Sequence, residues 1–154
     1  MKKLTAVTLF ALLASSSVFA KKFADEITEE VRSAFQKNFI NATDVNWKKQ
    51  DAIYMVSFRI GGQGEEVSAI YKDNGEFVSA YRHQSIKELP LRIMVSLQGK
   101  YPGYRINGDV LESFSNTTNE TTYYLDVEND KTELKLHSDA SGNFTVEDRI
   151  KKKV

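Results

Sequence analysis

The chain has 154 residues, no cysteine, and 21 basic against 21 acidic side chains, with 41% hydrophobic and 11% aromatic residues. A chain of this length buries enough surface for a packed core without disulfides. The lack of cysteine excludes thiol catalysis and zinc–thiolate sites, and the balanced charge excludes broad steering toward nucleic acid.

Lys2 and Lys3 precede an apolar run from Leu4 to Leu13, which leads to the small-residue site Ser17-Val18-Phe19-Ala20. This is the three-part pattern of a secretory signal peptide. The run is too short to cross about 30 Å of hydrocarbon, so no membrane anchor is expected, and no cysteine follows it to carry a lipid. Cleavage after Ala20 takes 20 residues from 154 and leaves 134; it also removes Lys2 and Lys3, leaving 19 basic against 21 acidic residues and a charge of −2. The expected product is periplasmic or secreted.

From Ala24 to Phe39 the residues Ile27, Val31, Ala34, Phe35 and Phe39 recur at steps of three and four, which predicts an amphipathic helix. Acidic residues crowd its first turns, where the helix dipole favours them, and Asp25 is the expected N-cap. The period then changes to two. Val45 and Trp47 alternate with polar residues, followed by Tyr54, Val56, Phe58 and Ile60, then Val67, Ala69 and Tyr71, and a fourth run covers Phe77 to Tyr81. Glycine-rich and Asp-Asn-Gly segments separate the later runs, so the reading is a helix followed by an antiparallel meander.

The same order then begins again. Pro90 marks a second helix start, Ile93, Met94, Leu97 and Tyr101 form its apolar face, and Pro102-Gly103 ends it. Strands are expected at Tyr104 to Leu111, Thr121 to Val127, Glu133 to His137 and Asn143 to Ile150. Phe39 and Tyr101 lie 62 residues apart, whereas Phe77 and Phe144 lie 67 apart; the polar insertion SNTTNETT accounts for the difference. The simplest organisation is a tandem repeat, 21–84 and 85–154 after a signal peptide at 1–20, folded into one compact unit with one joint sheet or two packed ones.

Asp73-Asn74-Gly75 and the related Ser138-Asp139-Ala140-Ser141-Gly142 read as tight turns, whose residues tolerate positive φ. Counted as a calcium loop, Gly75 places Ile70, Lys72 and Asn74 at ligand positions, and Gly142 places His137, Asp139 and Ser141 there. Neither is a good loop, so Asp73 and Asp139 are only weak metal candidates and no cofactor is expected; calcium is the alternative ligand. His83 and His137 have no partner at metal-binding spacing. No nucleophile elbow or Ser-x-x-Lys motif occurs, the glycines at 61, 62 and 64 are not followed by Lys-Ser/Thr, and Glu65 and Glu66 point to opposite faces of a strand. Asp126, Glu128, Asp130 and Glu133 form an acidic hairpin region, which reads as a solvated face.

Adjacent Tyr123 and Tyr124 must face opposite sides of the sheet. If Tyr123, Leu125 and Val127 pack under the helices, then Tyr124 lies on the other face, and the same alternation puts Met55, Arg59 and Ile70 there in the first half. A helix-free face of this composition resembles a protein-binding surface. The competing reading is a second core shared between the halves.

The segments VRSAFQKNFINATDVNWKKQDAIYMVSF, YKDNGEFV and ELPLRIMVSLQGKYPGYRI resemble the PepSY-like, beta-lactamase-inhibitor-like (BLIP-like) proteins exported by Bacteroidetes. The resemblance spans the mature chain. It implies an α+β fold of tandem repeats, each a helix plus an antiparallel meander, with the helices on one face of a curved antiparallel sheet. It also implies a non-enzymatic periplasmic role as an inhibitor or regulator of an envelope enzyme or sensor, with a protein or peptide partner and no catalytic residues to transfer. The alternative function is a calcium- or small-ligand-binding periplasmic sensor. Neither the partner's identity nor the oligomeric state is set by the sequence.

Overall fold

A computed structural model describes residues 27–61 and 64–153. The expected signal peptide, its cleavage site and Asp25 lie outside the described residues, as do positions 62 and 63 of the glycine-rich connection.

Helix α1 (Glu29–Asn38) is followed by strands β1 (Ala42–Gln50), β2 (Ile53–Ile60), β3 (Glu66–Lys72) and β4 (Phe77–Gln84). A short 3-10 turn (Ile86–Glu88) leads into α2 (Leu91–Lys100), and then come β5 (Arg105–Ser115), β6 (Glu120–Glu128), β7 (Thr132–Asp139) and β8 (Phe144–Lys151). All eight strands form one antiparallel sheet in chain order. The joint-sheet expectation therefore holds, because β4 and β5 pair directly from Ser79 with Ser115 to Gln84 with Val110.

Thr28, not Asp25, caps α1: its hydroxyl accepts the Val31 N–H at 3.3 Å and donates to the Asp73 carbonyl at 3.2 Å. One side chain thus satisfies a free helix donor and fixes the helix to the β3–β4 turn. Pro90 precedes the first residue of α2, where its missing N–H costs no helical bond. Ser96 ties α2 to the β7–β8 turn by donating its hydroxyl to the Gly142 carbonyl.

Both helices cover the same sheet face, each over its own core. The first core is mostly aromatic: Phe35 packs against Trp47 and Phe58 at centroid distances of 5.1 and 5.0 Å, above the fully buried Val56, Ala69 and Tyr71. The second is mostly aliphatic, with Ile93 and Leu97 over Val110, Leu125, Val127, Leu134 and Leu136. Each fully buried Val, Leu, Ile or Phe side chain contributes about 1.5–3 kcal/mol through removal from water. Phe77, packed against the first core, stacks on Phe114 of β5 at 6.3 Å across the β4–β5 seam.

Val45 departs from the expected alternation and is 38% exposed. The β1–β2 register shifts between Thr43 and Asn46, with Asp44 at φ 52, so a bulge interrupts the strand before Val45. A second irregularity, between Ile70 and Tyr71, pairs Ile70 with Ser79 but Tyr71 with Phe77. Phe77 consequently enters the core while Ser79 and Tyr81 turn to the opposite face.

Candidate protein-binding face

The face turned away from the helices is built by the period-two alternation of all eight strands. Tyr123, Leu125 and Val127 are buried under α2, whereas Tyr124 is 37% exposed. Met55 and Ile70 are direct cross-strand partners and share the outer face with Arg59 and Tyr124. Among the described residues no second layer covers this face and no second core forms on it.

The four sequence-predicted residues do not form one cluster. Met55 and Ile70 make an apolar contact toward one end of the strands. Arg59 pairs with Glu66 across β2 and β3, and its guanidinium lies 3.8 Å from the Asp44 carboxylate. Tyr124 stands four strands from β2, between Leu111 and His137. The space between is filled by small hydroxyl side chains and an aromatic in one cross-strand row: Ser57, Ser68, Tyr81, Ser113 and Thr122. The Ser57 and Ser68 hydroxyls are 3.2 Å apart.

Sequence reasoning did not name Tyr81, His83, Leu111 or His137 as members of this face. His83, Leu111, Tyr124 and His137 are successive partners across β4 to β7, and the Tyr124 and His137 rings lie 5.9 Å apart. The missing signal was the β4 irregularity, because Phe77 and Tyr81 share a parity in the sequence and yet face opposite sides. An open hollow of about 340 Å³ at the β3–β4 end is lined by Glu65, Glu66, Ser68, Tyr81, Arg82 and His83. Tyr and Ser together supply rigid amphipathic contact area and adaptable hydrogen bonding, the combination that antibody binding loops use.

On the helix side, the seam between the halves holds a charged cluster. Arg82 donates to the Glu112 and Glu65 carboxylates, and the Tyr123 hydroxyl donates to Glu112 at 3.0 Å. Burial works against the Arg82 charge, but the hydrogen bonds and charges of Glu112 and Glu65 outweigh it and its pKa is raised. Burial, the hydrogen bond to Glu112 and that carboxylate's charge push Tyr123 up to about 12. Arg82 also donates to the Gln84 side-chain oxygen at 3.4 Å, and although the buried Gln84 Nε2 has no partner among the described residues, each charged member is paired, so the cluster reads as a joint between halves.

The turn aspartates are also engaged. The Asp139 carboxylate accepts the Ser141 N–H at 2.8 Å and both the backbone N–H and side-chain amide of Asn143, at 3.0 and 2.8 Å. The Asn143 hydrogen bonds, first of all from its side chain, hold Asp139 below the usual carboxylate range. Asp73 donates its N–H to the Ala52 carbonyl. Among the described residues no group of three or more Asp, Glu, His or Cys side chains could hold a metal ion.

Comparison with solved structures agrees with this architecture. A BLIP-like protein from Bacteroides fragilis superposes with a TM-score of 0.67 at 19% identity, covering 82% of this chain and 89% of that one. The chain has the BLIP-like fold. A DUF2874 family protein from Bacteroides uniformis matches at TM-score 0.63 and 14% identity over 80% of this chain and 88% of that one. A Bacteroides ovatus protein of the same family gives 0.63 and 16%, covering 80% and 86%. No protein-family model and no curated protein matches the sequence. Among the described residues no helix is long and apolar enough to cross a membrane.

Proposed function

We propose that this BLIP-like chain is a non-enzymatic periplasmic protein-binding module. It uses the outer sheet face to capture an envelope protein or peptide and thereby inhibits or regulates it. In this reading the chain is exported by residues 1–20 and consists of two tandem repeats, 21–84 and 85–154. One observation carries the proposal. Among the described residues the sheet presents an uncovered face eight strands wide, on which Tyr81, Tyr124, Met55, Ile70 and Leu111 stand among small hydroxyl side chains.

Aromatic and Met side chains set among adaptable polar groups are what protein interfaces concentrate. The hollow at the β3–β4 end of the strands supports the same reading, since it is open to solvent and does not enclose a small ligand. The test is binding of an envelope partner by residues 21–154 and by a variant carrying Met55→Ala, Ile70→Ala and Tyr124→Ala. The proposal expects at least tenfold weaker capture by the variant, which still unfolds cooperatively and so remains folded. Full retention of binding by the folded variant would overturn it.

A further inference from the structure

The charges on the outer face are distributed unequally between the halves. In the first half, Arg59 is matched by Asp44, Lys72 by Glu76, and Glu66 stands beside Arg59. In the second half, Asp126, Lys135 and Asp148 are successive partners across β6, β7 and β8, so one lysine stands between two carboxylates. Lys135 reaches Asp126 at 4.0 Å. Directly beside them Glu128 pairs with Glu133 across the strands, two like charges in register. Glu128 is neutralised by Arg105 at 2.7 Å and Lys152 at 2.6 Å; Glu133 and Asp148 have no ion pair among the described residues. Glu147 meets only the His137 imidazole, at 3.0 Å.

Like charges placed opposite one another on a sheet disfavour the fold locally. They attract a complementary charge brought by a partner. The acidic end adjoins Tyr124 and Leu111, so it borders the apolar and aromatic part of the face. The same sign of charge repels nucleic acid and anionic lipid surfaces, which leaves a protein or peptide as the matching chemistry.

Building on the proposed protein-binding role, we infer that the partner presents a Lys/Arg-rich segment. The segment seats its cations on Asp126, Glu133, Glu147 and Asp148 and its neighbouring apolar side chains on Tyr124 and Leu111. The carboxylates supply encounter rate and orientation, and the aromatic contact supplies residence time.

The test uses three fluorescent peptides of one length, roughly 12 residues, in which leucine alternates with lysine, serine or glutamate. They are titrated against residues 21–154. The lysine peptide is expected to bind at least tenfold more tightly than the other two, and to weaken as NaCl rises from about 20 to about 300 mM. A variant with Asp126→Asn, Glu133→Gln and Asp148→Asn is expected to lose that preference. A charge-matched variant with Glu30→Gln, Asp51→Asn and Asp73→Asn, all in the first half and away from β6–β8, is expected to keep it. Equal binding of the lysine and serine peptides, lost with Tyr124→Ala, overturns the basic-partner inference and leaves the docking face standing. No binding by any peptide, or equal loss in both charge variants, overturns the inference as well.

Discussion

Gly75 lies against the backbone of α1, where a Cβ on this residue would stand 2.8 Å from the Glu30 carbonyl oxygen. Gly142 meets α2 in the same manner, with a Cβ there 2.9 Å from that of Ser96. Both residues have positive φ, 81° and 83°, and so does Gly103 at 81°, but Gly103 faces open space. Gly75→Ala and Gly142→Ala are each expected to cost roughly 2–3 kcal/mol, combining backbone strain with the contact, and Gly103→Ala about 1 kcal/mol from strain alone. Urea unfolding measures all three. Equal losses would contradict the close docking of the turns on the helices.

The assignment of the two sheet faces makes adjacent tyrosines behave differently. Tyr123 is 6% exposed and Tyr124 37%. Tyr123→Ala is expected to cost roughly 3–5 kcal/mol, the range for emptying an aromatic site in a core. Tyr124→Ala is expected to cost under about 1 kcal/mol, as at an open surface. Denaturation curves with comparable losses for the two would mean that the outer face is covered.

Stability should also depend on pH in two separate windows. Tyr123 has a folded-state pKa of about 12, above its ordinary value of 10. The folded state therefore holds the proton more tightly. The stabilisation is complete below about pH 10 and is lost as pH rises toward about 12. Tyr123→Phe should remove this alkaline dependence. Asp139 shifts the other way, so its stabilisation is present above about pH 4 and is lost as pH falls through its depressed folded value. Asp139→Asn should flatten that acid limb. Thermal melts across pH that leave either limb unchanged in its variant would contradict the assigned hydrogen bonds.

The periodicity of the sequence set out both helices, the strands and the opposite facing of Tyr123 and Tyr124, because burial on one side of an element leaves a direct pattern. It did not show where that pattern is reset. Bulges near Asp44 and at Phe77 shift the facing of Val45 and Tyr81 through backbone geometry that no residue type announces. The Arg82–Glu112–Tyr123 cluster was equally hidden. It depends on the register of β4 against β5 across the seam between halves, and a polar residue at an inner-facing position reads as a break in the pattern until its partners are known. The sequence offers two capping residue types three positions apart, Asp25 and Thr28, and only the contact of Thr28 with the β3–β4 turn decides between them.

Calcium distinguishes the binding-module account from the sensor alternative. The Asp139 carboxylate already accepts three hydrogen bonds within its own turn, and Glu128 is held by two cations. Adding roughly 1–5 mM calcium is expected to leave the melting temperature within about 1 °C, since only a ligand that binds the native state raises it. A rise of several degrees would favour the ion sensor.

The most direct measurement of the central claim is site-specific photocrosslinking in the organism that produces the protein. A photoreactive residue is placed at Ile70 or Tyr124 on the outer face, or at Val95 on the solvent side of α2, where the native valine is 62% exposed. The account predicts a common envelope-protein adduct from both outer-face positions and none from Val95. An adduct from Val95 with none from the sheet would show that this chain meets its partner through its helices, and the docking face assigned to the sheet would be wrong.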